Sequence, residues 1–209
     1  MRRSSAESRQ AIIESTADLL SDRGASALNV NAVMERARIS RTTFYRHFPE
    51  VYEVVEALIE QLVTHMAARS GAWLREASAV GTPDQIYPNL IRSAAAIQPY
   101  APLVLALHDA TGIDERLRRI WREQLVQPRI DAVARAIRRD QAAGAISPTI
   151  DADATALALS LMNEQLLLEL ICRNGANADD FARVAAPIWQ AVLFAGPDKR
   201  GPQAHPSPS

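Results

Sequence analysis

The spacing of apolar residues constrains the fold of this chain more than any other feature. Over most of the sequence they recur every three or four positions, which is the period of one face of an α-helix. The residues that disfavour helices, 8 glycines and 12 prolines among 209 residues, are confined to a few places. The sequence therefore predicts an all-α protein.

The first part of the chain is predicted to form three helices, over residues 5–23, 30–37 and 41–48. Gly24 stands where a left-handed C-terminal cap is expected, and Asn29 and Ser40 are suited to N-cap the second and third helices. Pro49 ends the third. A turn of about three residues between two short helices has the geometry of a helix-turn-helix. Spacing alone fits any small helical hairpin equally well.

The third predicted helix presents hydrogen-bond donors on its outward side and no acid. These donors are Arg41, Thr42, Thr43, Tyr45, Arg46 and His47. Arginine can form paired hydrogen bonds to guanine in the major groove, and the other donors suit phosphate oxygens. Residues 1–48 hold eight arginines against five acids, whereas the remainder has a net charge of −4. The pattern favours nucleic-acid binding, and the alternative is a solvated helix face.

Residues Ala11 to Phe48 resemble the DNA-binding domain of the TetR family of bacterial repressors, above all in the segment from Ile39 to Phe48. The resemblance implies that Arg41 and Thr42 face base edges, next to the cap Ser40. It also implies that the remaining donors, Thr43, Tyr45, Arg46 and His47, hold the phosphate backbone. The small core would then consist of Val30, Val33, Ala37, Ile39, Phe44 and Phe48.

The sequence departs from the family pattern at three places. Arg38 stands where the family usually has glycine, and a left-handed backbone there would cost about 1 kcal/mol relative to glycine. Glu50 and Val51 replace a small cap and a DNA-contacting lysine, so that phosphate contact is expected to be missing. Asn31 and Ala32 replace an arginine and an aspartate of the second helix.

The rest of the chain is predicted to form a larger helical domain. Its six helices are expected over residues 51–75, 84–97, 98–111, 114–143, 151–173 and 177–195, with a kink at Pro128 in the fourth of them. The predicted organisation is a TetR-like, three-helix DNA-binding head at residues 1–50 and a six-helix body for ligand binding and dimerisation at 51–195. Residues 196–209, with four prolines, are expected to be a disordered tail.

The last two predicted helices carry more apolar surface than one chain of this size can cover. Residues 151–173 are apolar around most of the helix, and Phe181, Ile188 and Val192 lie on an apolar stripe of the next helix. A two-fold four-helix interface would bury both helices. They could instead be central core helices, but the TetR resemblance implies dimerisation through this pair.

Asn163 lies in the middle of the apolar segment 151–173. A buried amide must be hydrogen-bonded, so it is satisfied either by a neighbouring helix or by a ligand. Residues Ile150 to Gly196 resemble the C-terminal region of the ethionamide-regulator (EthR) subgroup of the TetR family. That resemblance implies an apolar tunnel in which Asn163 meets a ligand, with Met162 beside it and Trp189 and Tyr87 in the walls.

No catalytic, cofactor or metal site is expected. Cys172 is the only cysteine, the four histidines are scattered, and no phosphate-binding glycine loop occurs. The chain has neither an apolar signal region nor an uninterrupted apolar run of the roughly 18–20 residues that span a bilayer, so a cytoplasmic protein without a membrane partner is expected.

The residues and the resemblance together predict a repressor that binds palindromic double-stranded operator DNA as a homodimer. A small hydrophobic ligand is expected to release it. One alternative is a regulator of the same fold that needs no ligand or acts as an activator. The other is an all-α enzyme or lipid carrier in which the N-terminal hairpin is structural.

Overall fold

The computed structural model describes residues 3–70 and 80–194, and no strand occurs in this part of the chain. Its α-helices are α1 (Ser5–Arg23), α2 (Val30–Ala37), α3 (Arg41–His47), α4 (Val51–Ser70), α5 (Pro83–Ile97), α6 (Ala101–Ala110), α7 (Glu115–Trp121), α8 (Gln127–Ala142), α9 (Ala152–Leu166) and α10 (Ala178–Phe194). The all-α prediction is confirmed. The predicted end of α4 at 71–75 and the predicted tail at 196–209 lie outside the described residues.

Side-chain caps fix where the first three helices begin. Ser4 and Glu7 form a capping box at α1, in which each side chain accepts a hydrogen bond from the other residue's backbone N–H. Asn29 Oδ1 accepts from the Ala32 N–H at 2.9 Å, and Ser40 Oγ accepts from the Thr43 N–H at 3.2 Å. Both predicted caps are therefore present, and the turn between α2 and α3 is as short as predicted.

The α2–α3 turn depends on a left-handed residue. Arg38 has φ 54° and ψ 53°, and among the described residues it is the one non-glycine residue with positive φ. The Arg38 N–H bonds back to the carbonyls of Met34 and Glu35, which closes the end of α2. The strain expected for an arginine at this position is therefore present. Gly24 also has positive φ (71°), but its ψ of −177° lies outside the left-handed helical region.

The three N-terminal helices, called the head below (residues 3–48), enclose a small apolar core. Ile12, Leu20, Val33 and Phe44 are fully buried, while Val30 and Ile39 of the predicted core are only partly buried. Helix α1 also packs against α4 and α6, so the head core continues into that of the body, residues 51–194. The head is thus attached to the body through packed side chains.

The body is a bundle in which α5 packs against α10 and α8 against α9. The single helix predicted over residues 114–143 contains a π-helical segment, Arg122–Val126, between α7 and α8. Pro128 has no N–H, and its ring would clash with the carbonyl of residue 124 in a regular helix, which explains why the helix widens just before it. A second π-helical segment, Leu167–Arg173, follows α9.

Two helical stretches, Pro83–Ala110 and Ala152–Arg173, are long and apolar enough to cross a membrane by length and composition alone. The sequence had predicted no such stretch because charged and polar residues interrupt both. Each contributes many residues to the body core, for example Leu90 and Leu168, each 1% exposed. A core helix of a soluble bundle has the same composition, so these stretches are accounted for by packing.

Candidate functional site

A groove runs between the N-terminal turn of α1 and the outward side of α3. Three of the residues that line it are arginines and none is acidic. Its lining consists of Arg3, Ser5, Ser8, Arg38, Ile39, Ser40, Thr42, Thr43, Arg46 and His47. A concave basic surface without carboxylates attracts a polyanion, because nothing in its walls opposes the negative charge.

Five of the seven residues predicted to bind DNA line this groove. The other two, Arg41 and Tyr45, lie one turn apart on the adjoining side of α3. The Arg41 guanidinium carbon lies 5.4 Å from the centre of the Tyr45 ring, and Arg41 Nη2 lies 3.4 Å from the Tyr45 hydroxyl oxygen. Both side chains are exposed, so the cation–π contact between them is worth about 0.5–1 kcal/mol. The Arg41 side chain can therefore break its contact with Tyr45 and adopt another rotamer at a small cost in free energy.

The sequence reasoning missed the contribution of α1 to the groove. Arg3 Nη1 donates to the carbonyl oxygen of Ala37 at 2.8 Å, which satisfies a carbonyl at the end of α2 and holds the guanidinium beside Arg38. Ser8 is mostly buried and its hydroxyl donates to the Ser4 carbonyl at 2.9 Å. The excess of arginine in the first 48 residues was the available signal, but it gave no position.

Glu50, one of the departures from the family pattern, lies between the head and the body and contacts the body at α7. Arg116 Nη1 donates to Glu50 Oε2 at 2.7 Å, and Arg116 Nη2 also contacts Glu50. The hydrogen bond from Arg116 lowers the pKa of Glu50, and the same carboxylate raises the pKa of Arg116. Glu50, three residues beyond the end of α3, is therefore engaged with α7.

Tyr52 and Asp114 extend this link. The Arg116 guanidinium lies 4.5 Å from the centre of the Tyr52 ring, and the Tyr52 hydroxyl donates to Asp114 Oδ2 at 2.6 Å. Asp114 also caps α7, accepting from the backbone N–H groups of Arg116 and Leu117 at 2.8 and 3.1 Å. These four side chains (Glu50, Tyr52, Asp114 and Arg116), called the α4–α7 link below, join the beginning of α4 to the beginning of α7.

Two small cavities lie side by side in the body, of about 50 Å³ and 30 Å³. The walls of both include Met66, Ile97, Arg129 and Leu167. Asn163 and Trp189, both predicted to bind a ligand, line the larger cavity. Trp189 Nε1 donates to Asn163 Oδ1 at 3.1 Å, so the Asn163 carbonyl oxygen is satisfied by a neighbouring helix.

The structure places the other two predicted ligand residues away from these cavities. The Tyr87 hydroxyl donates to Asp179 Oδ1 at 2.7 Å, closing the seam between α5 and α10, and this carboxylate raises the pKa of Tyr87. Met162 is partly buried on α9 and does not line either cavity. The reason is the helix period, because Met162 points about 100° away from its neighbour Asn163.

The three residues predicted to form the dimer interface differ in their exposure. Phe181 is 1% exposed and lines the larger cavity, so its side chain is part of the chain's own core and not available to a partner. Ile188 and Val192 are exposed, at 40% and 41%. The exposed large apolar residues of α9 and α10, called the α9–α10 surface below, are Leu157, Leu161, Val184, Ile188 and Val192.

A mostly buried ion pair lies in the cavity walls, where Arg129 lines both cavities and Glu164 lines the smaller one. Arg129 Nη2 lies 3.2 Å from Glu164 Oε2, and Trp121 Nε1 donates to Glu164 Oε1 at 2.8 Å. Burial lowers the pKa of Arg129, while the charge of Glu164 opposes that shift. In the sequence, Glu164 is one of the two charged residues between Ala154 and Cys172, the other being Glu169. Its partners come from α7 and α8 and had no local signal.

The fold and the groove define a helix-turn-helix DNA-binding protein. The family model for bacterial regulatory proteins of the tetR family matches residues 12–58, and the model for the C-terminal domain of the transcriptional regulator EthR matches residues 92–194. These two matches cover most of the chain, which therefore belongs to the TetR family of transcription regulators, with an EthR-like C-terminal domain. Members of this family are DNA-binding regulators and not enzymes, so the enzyme alternative is excluded.

Solved structures show the same fold. A TetR-family protein from Rhodococcus sp. is 22% identical, with a TM-score of 0.67 over 90% of this chain and 99% of that chain. SmeT, the repressor of a Stenotrophomonas maltophilia multidrug efflux pump, is 16% identical, with a TM-score of 0.68 over 95% and 97%. A protein from Saccharomonospora viridis in complex with choline is 18% identical, with a TM-score of 0.64 over 90% and 98%. No curated protein matches the chain at a significant level.

Proposed function

We propose that this protein is a cytoplasmic repressor that binds palindromic operator DNA as a homodimer and is released by a small hydrophobic ligand. Residues 1–50 would bind DNA, and residues 51–195 would bind the ligand and form the dimer. The observation that carries the DNA-binding part of the proposal is the acid-free basic groove beside α3.

The exposed side of α3 would enter the major groove. Arg41 would leave Tyr45 to contact a base edge, with Thr42 beside it. Arg46 and His47, which line the basic groove of the protein, would bind the phosphate backbone of the DNA. Arg38 and Arg3 would add positive charge to this phosphate-binding surface. The hydroxyl oxygens of Thr43 and Ser40 lie 2.9 Å apart and are hydrogen-bonded to each other. A contact from the Thr43 hydroxyl to phosphate would therefore compete with its hydrogen bond to Ser40, the N-cap of α3.

The α9–α10 surface is proposed as the dimer interface. Val184, Ile188 and Val192 are spaced at four residues along one side of α10, and Leu157 and Leu161 have the same spacing on α9. Among the exposed large apolar residues in the described part of the chain, these five outnumber the other three, which are scattered. A second copy related by a two-fold axis would bury both rows at once.

The ligand would enter the body at the cavities around Arg129. Their volumes of about 50 Å³ and 30 Å³ leave room for little more than water, whereas ligand pockets occupy about 300–1,000 Å³. The ligand must therefore select a conformation in which side chains of α4, α5, α9 and α10 have moved apart. The α4–α7 link would transmit such a movement to the head. The coupling equals the difference in ligand affinity between the two states, so operator must weaken ligand binding by the same factor.

Selection of bound duplexes from a random pool would test the proposal. We expect a near-palindrome with half-sites about 34 Å apart or a multiple of that distance. In fluorescence anisotropy, Arg41→Ala should weaken operator binding by about 1–3 kcal/mol and relax preference at one base pair per half-site. His47→Ala should weaken operator and scrambled duplexes alike. If both variants bind like the parent, α3 does not read the operator.

A further inference from the structure

Two polar groups in the wall of the larger cavity have no hydrogen-bond partner within residues 3–70 and 80–194. One is the hydroxyl of Ser160 on α9, a residue that is 1% exposed. The other is Nε of Arg129 on α8. Buried donors that lack a partner are rare in native proteins, because leaving one unpaired destabilises the fold. Both residues line the cavity, so a ligand that widens it would lie next to them.

The two groups lie at the same point of the wall. Arg129 Nη2 is 3.3 Å from the carbonyl oxygen of Ser160, so the guanidinium rests against the Ser160 backbone. Asn163 lies about one helical turn further along α9, and its side-chain carbonyl oxygen accepts a hydrogen bond from Trp189 Nε1. The buried polar atoms of this wall that lack a partner among the described residues are Ser160 Oγ and Arg129 Nε.

The charge of the site is already balanced. Glu164 Oε2 lies 3.2 Å from Arg129 and neutralises its guanidinium, and Trp121 supplies a second donor to the same carboxylate. A ligand carboxylate placed at Arg129 Nε would add a second negative charge to a mostly buried site that has only one positive charge. Burying an unbalanced charge is costly, whereas a neutral oxygen acceptor uses the free N–H without that cost.

The remaining walls are mainly apolar. They include Met66, Val80, Leu90, Ile97, Val133, Leu167 and Phe181. Ser93 also lines the cavity, but its hydroxyl donates to the Asn89 carbonyl oxygen at 3.1 Å and is satisfied. Apolar walls with one or two convergent polar groups fix the orientation of an apolar ligand through a single polar atom.

We propose that Ser160 and Arg129 Nε form the polar anchor of the body pocket and take an uncharged oxygen acceptor, such as a ketone, ester or amide carbonyl, carried by an apolar ligand. This inference rests on the proposed ligand-binding role of the cavity. It differs from the sequence-based expectation in placing the ligand's polar atom at the α8–α9 contact rather than at Asn163.

The test compares three probes of similar size that differ at one end: 2-octanone, octane and octanoate. Calorimetry and thermal shift are measured on the full-length protein without DNA. A hydrogen bond to a charged group is worth about one to two powers of ten in affinity. We therefore expect 2-octanone to bind at least about tenfold more tightly than octane, and octanoate to bind more weakly than 2-octanone.

Two serine variants form a matched pair. Ser160→Ala should reduce the advantage of 2-octanone over octane several-fold, and the variant should fold at least as well as the parent because it removes an unpaired buried hydroxyl. Ser93→Ala changes the same chemistry in the same cavity but removes a satisfied hydroxyl, so it should leave the ratio of the two affinities unchanged.

Equal affinities for 2-octanone and octane, or tightest binding of octanoate, would overturn the uncharged-acceptor inference. So would an undiminished ketone preference in Ser160→Ala, or no binding of any probe. Operator release is measured separately by anisotropy. If 2-octanone binds with the expected selectivity but leaves operator affinity unchanged, the anchor stands and the proposed switch fails for this ligand.

Discussion

The left-handed backbone at Arg38 makes opposite predictions for stability and for DNA binding. With φ 54° and ψ 53°, the arginine side chain meets a steric penalty that glycine does not, of about 1 kcal/mol. The Arg38 side chain is exposed and has no hydrogen bond or ion pair to the described residues, so its removal costs the fold no polar contact with them. It lines the basic groove, so its charge is available to DNA.

We expect Arg38→Gly to raise the free energy of unfolding by about 1 kcal/mol, which corresponds to a rise in Tm of about 2–4 °C for a chain of this size. The same variant should lose one phosphate contact per protomer. Its operator affinity should fall roughly tenfold per protomer near 0.1 M salt, and the slope of log K against log salt should decrease by about one per protomer.

Two further variants separate the two effects. Arg38→Ala removes the charge but keeps the left-handed strain, so it should lose DNA affinity like Arg38→Gly without gaining its stability. Gly175 has φ 66° and open space where a Cβ would be, so Gly175→Ala adds the same strain without a clash. It should lower stability by about 1 kcal/mol. Urea unfolding at one fixed protein concentration measures all three.

A fall in stability for Arg38→Gly would refute the reasoning, since it would mean that the arginine side chain stabilises the turn by more than its strain costs. Operator binding equal to the parent in both Arg38 variants would remove this residue from the DNA interface. If neither outcome occurs, the arginine at this strained position lowers the stability of the fold, and the loss is tolerated because its charge contributes to DNA binding.

Three other expectations concern the dimer, the α4–α7 link and acid stability. Val192→Asp should give a species near the 22.9 kDa of one chain in sedimentation, with little operator affinity, because one charge would be buried on each side of the interface. Glu50→Gln and Arg116→Gln should each lower Tm slightly, and the double variant should lower it no further than one of them, because both remove the same ion pair. The Tyr52 hydroxyl lowers the pKa of Asp114, so its stabilisation is complete above the unfolded pKa of about 3.9 and is lost as the pH falls below it. The stability gap between the parent and Tyr52→Phe should therefore shrink from about pH 7 to about pH 3.

Each of these has a contrary outcome. A wild-type chain that stays monomeric at micromolar concentration while binding operator tightly would contradict the α9–α10 interface. Additive effects of the two Gln variants would mean that Glu50 and Arg116 act separately. A constant gap between parent and Tyr52→Phe at all pH values would assign the loss to packing of the ring edge rather than to the Asp114 carboxylate.

Local signals were sufficient for the helices and for most of the α3 residues that line the basic groove. Cap residues such as Asn29 and Ser40 act on N–H groups within three residues, and the 3.6-residue period assigns Val33 and Phe44 to the core without knowledge of the partner helix. The left-handed turn at Arg38 was indicated only by the family resemblance, which has glycine at this position, because the sterics of an arginine disfavour positive φ.

The body depended on tertiary structure, because its functional positions are defined by which helices meet. The sequence could place Asn163 in an apolar helix, but only the packing of α9 against α10 brings Trp189 within hydrogen-bond distance of its side-chain oxygen. Likewise, only the assembled fold shows that the Ser160 hydroxyl and Arg129 Nε have no partner among the described residues. Phe181 and Ile188 both lie on apolar positions of α10, and only the packing of α10 against its neighbouring helices decides that the first is buried and the second exposed. Apolar periodicity identifies a helix face that must be buried, whereas the tertiary structure decides which helix or partner chain packs against it.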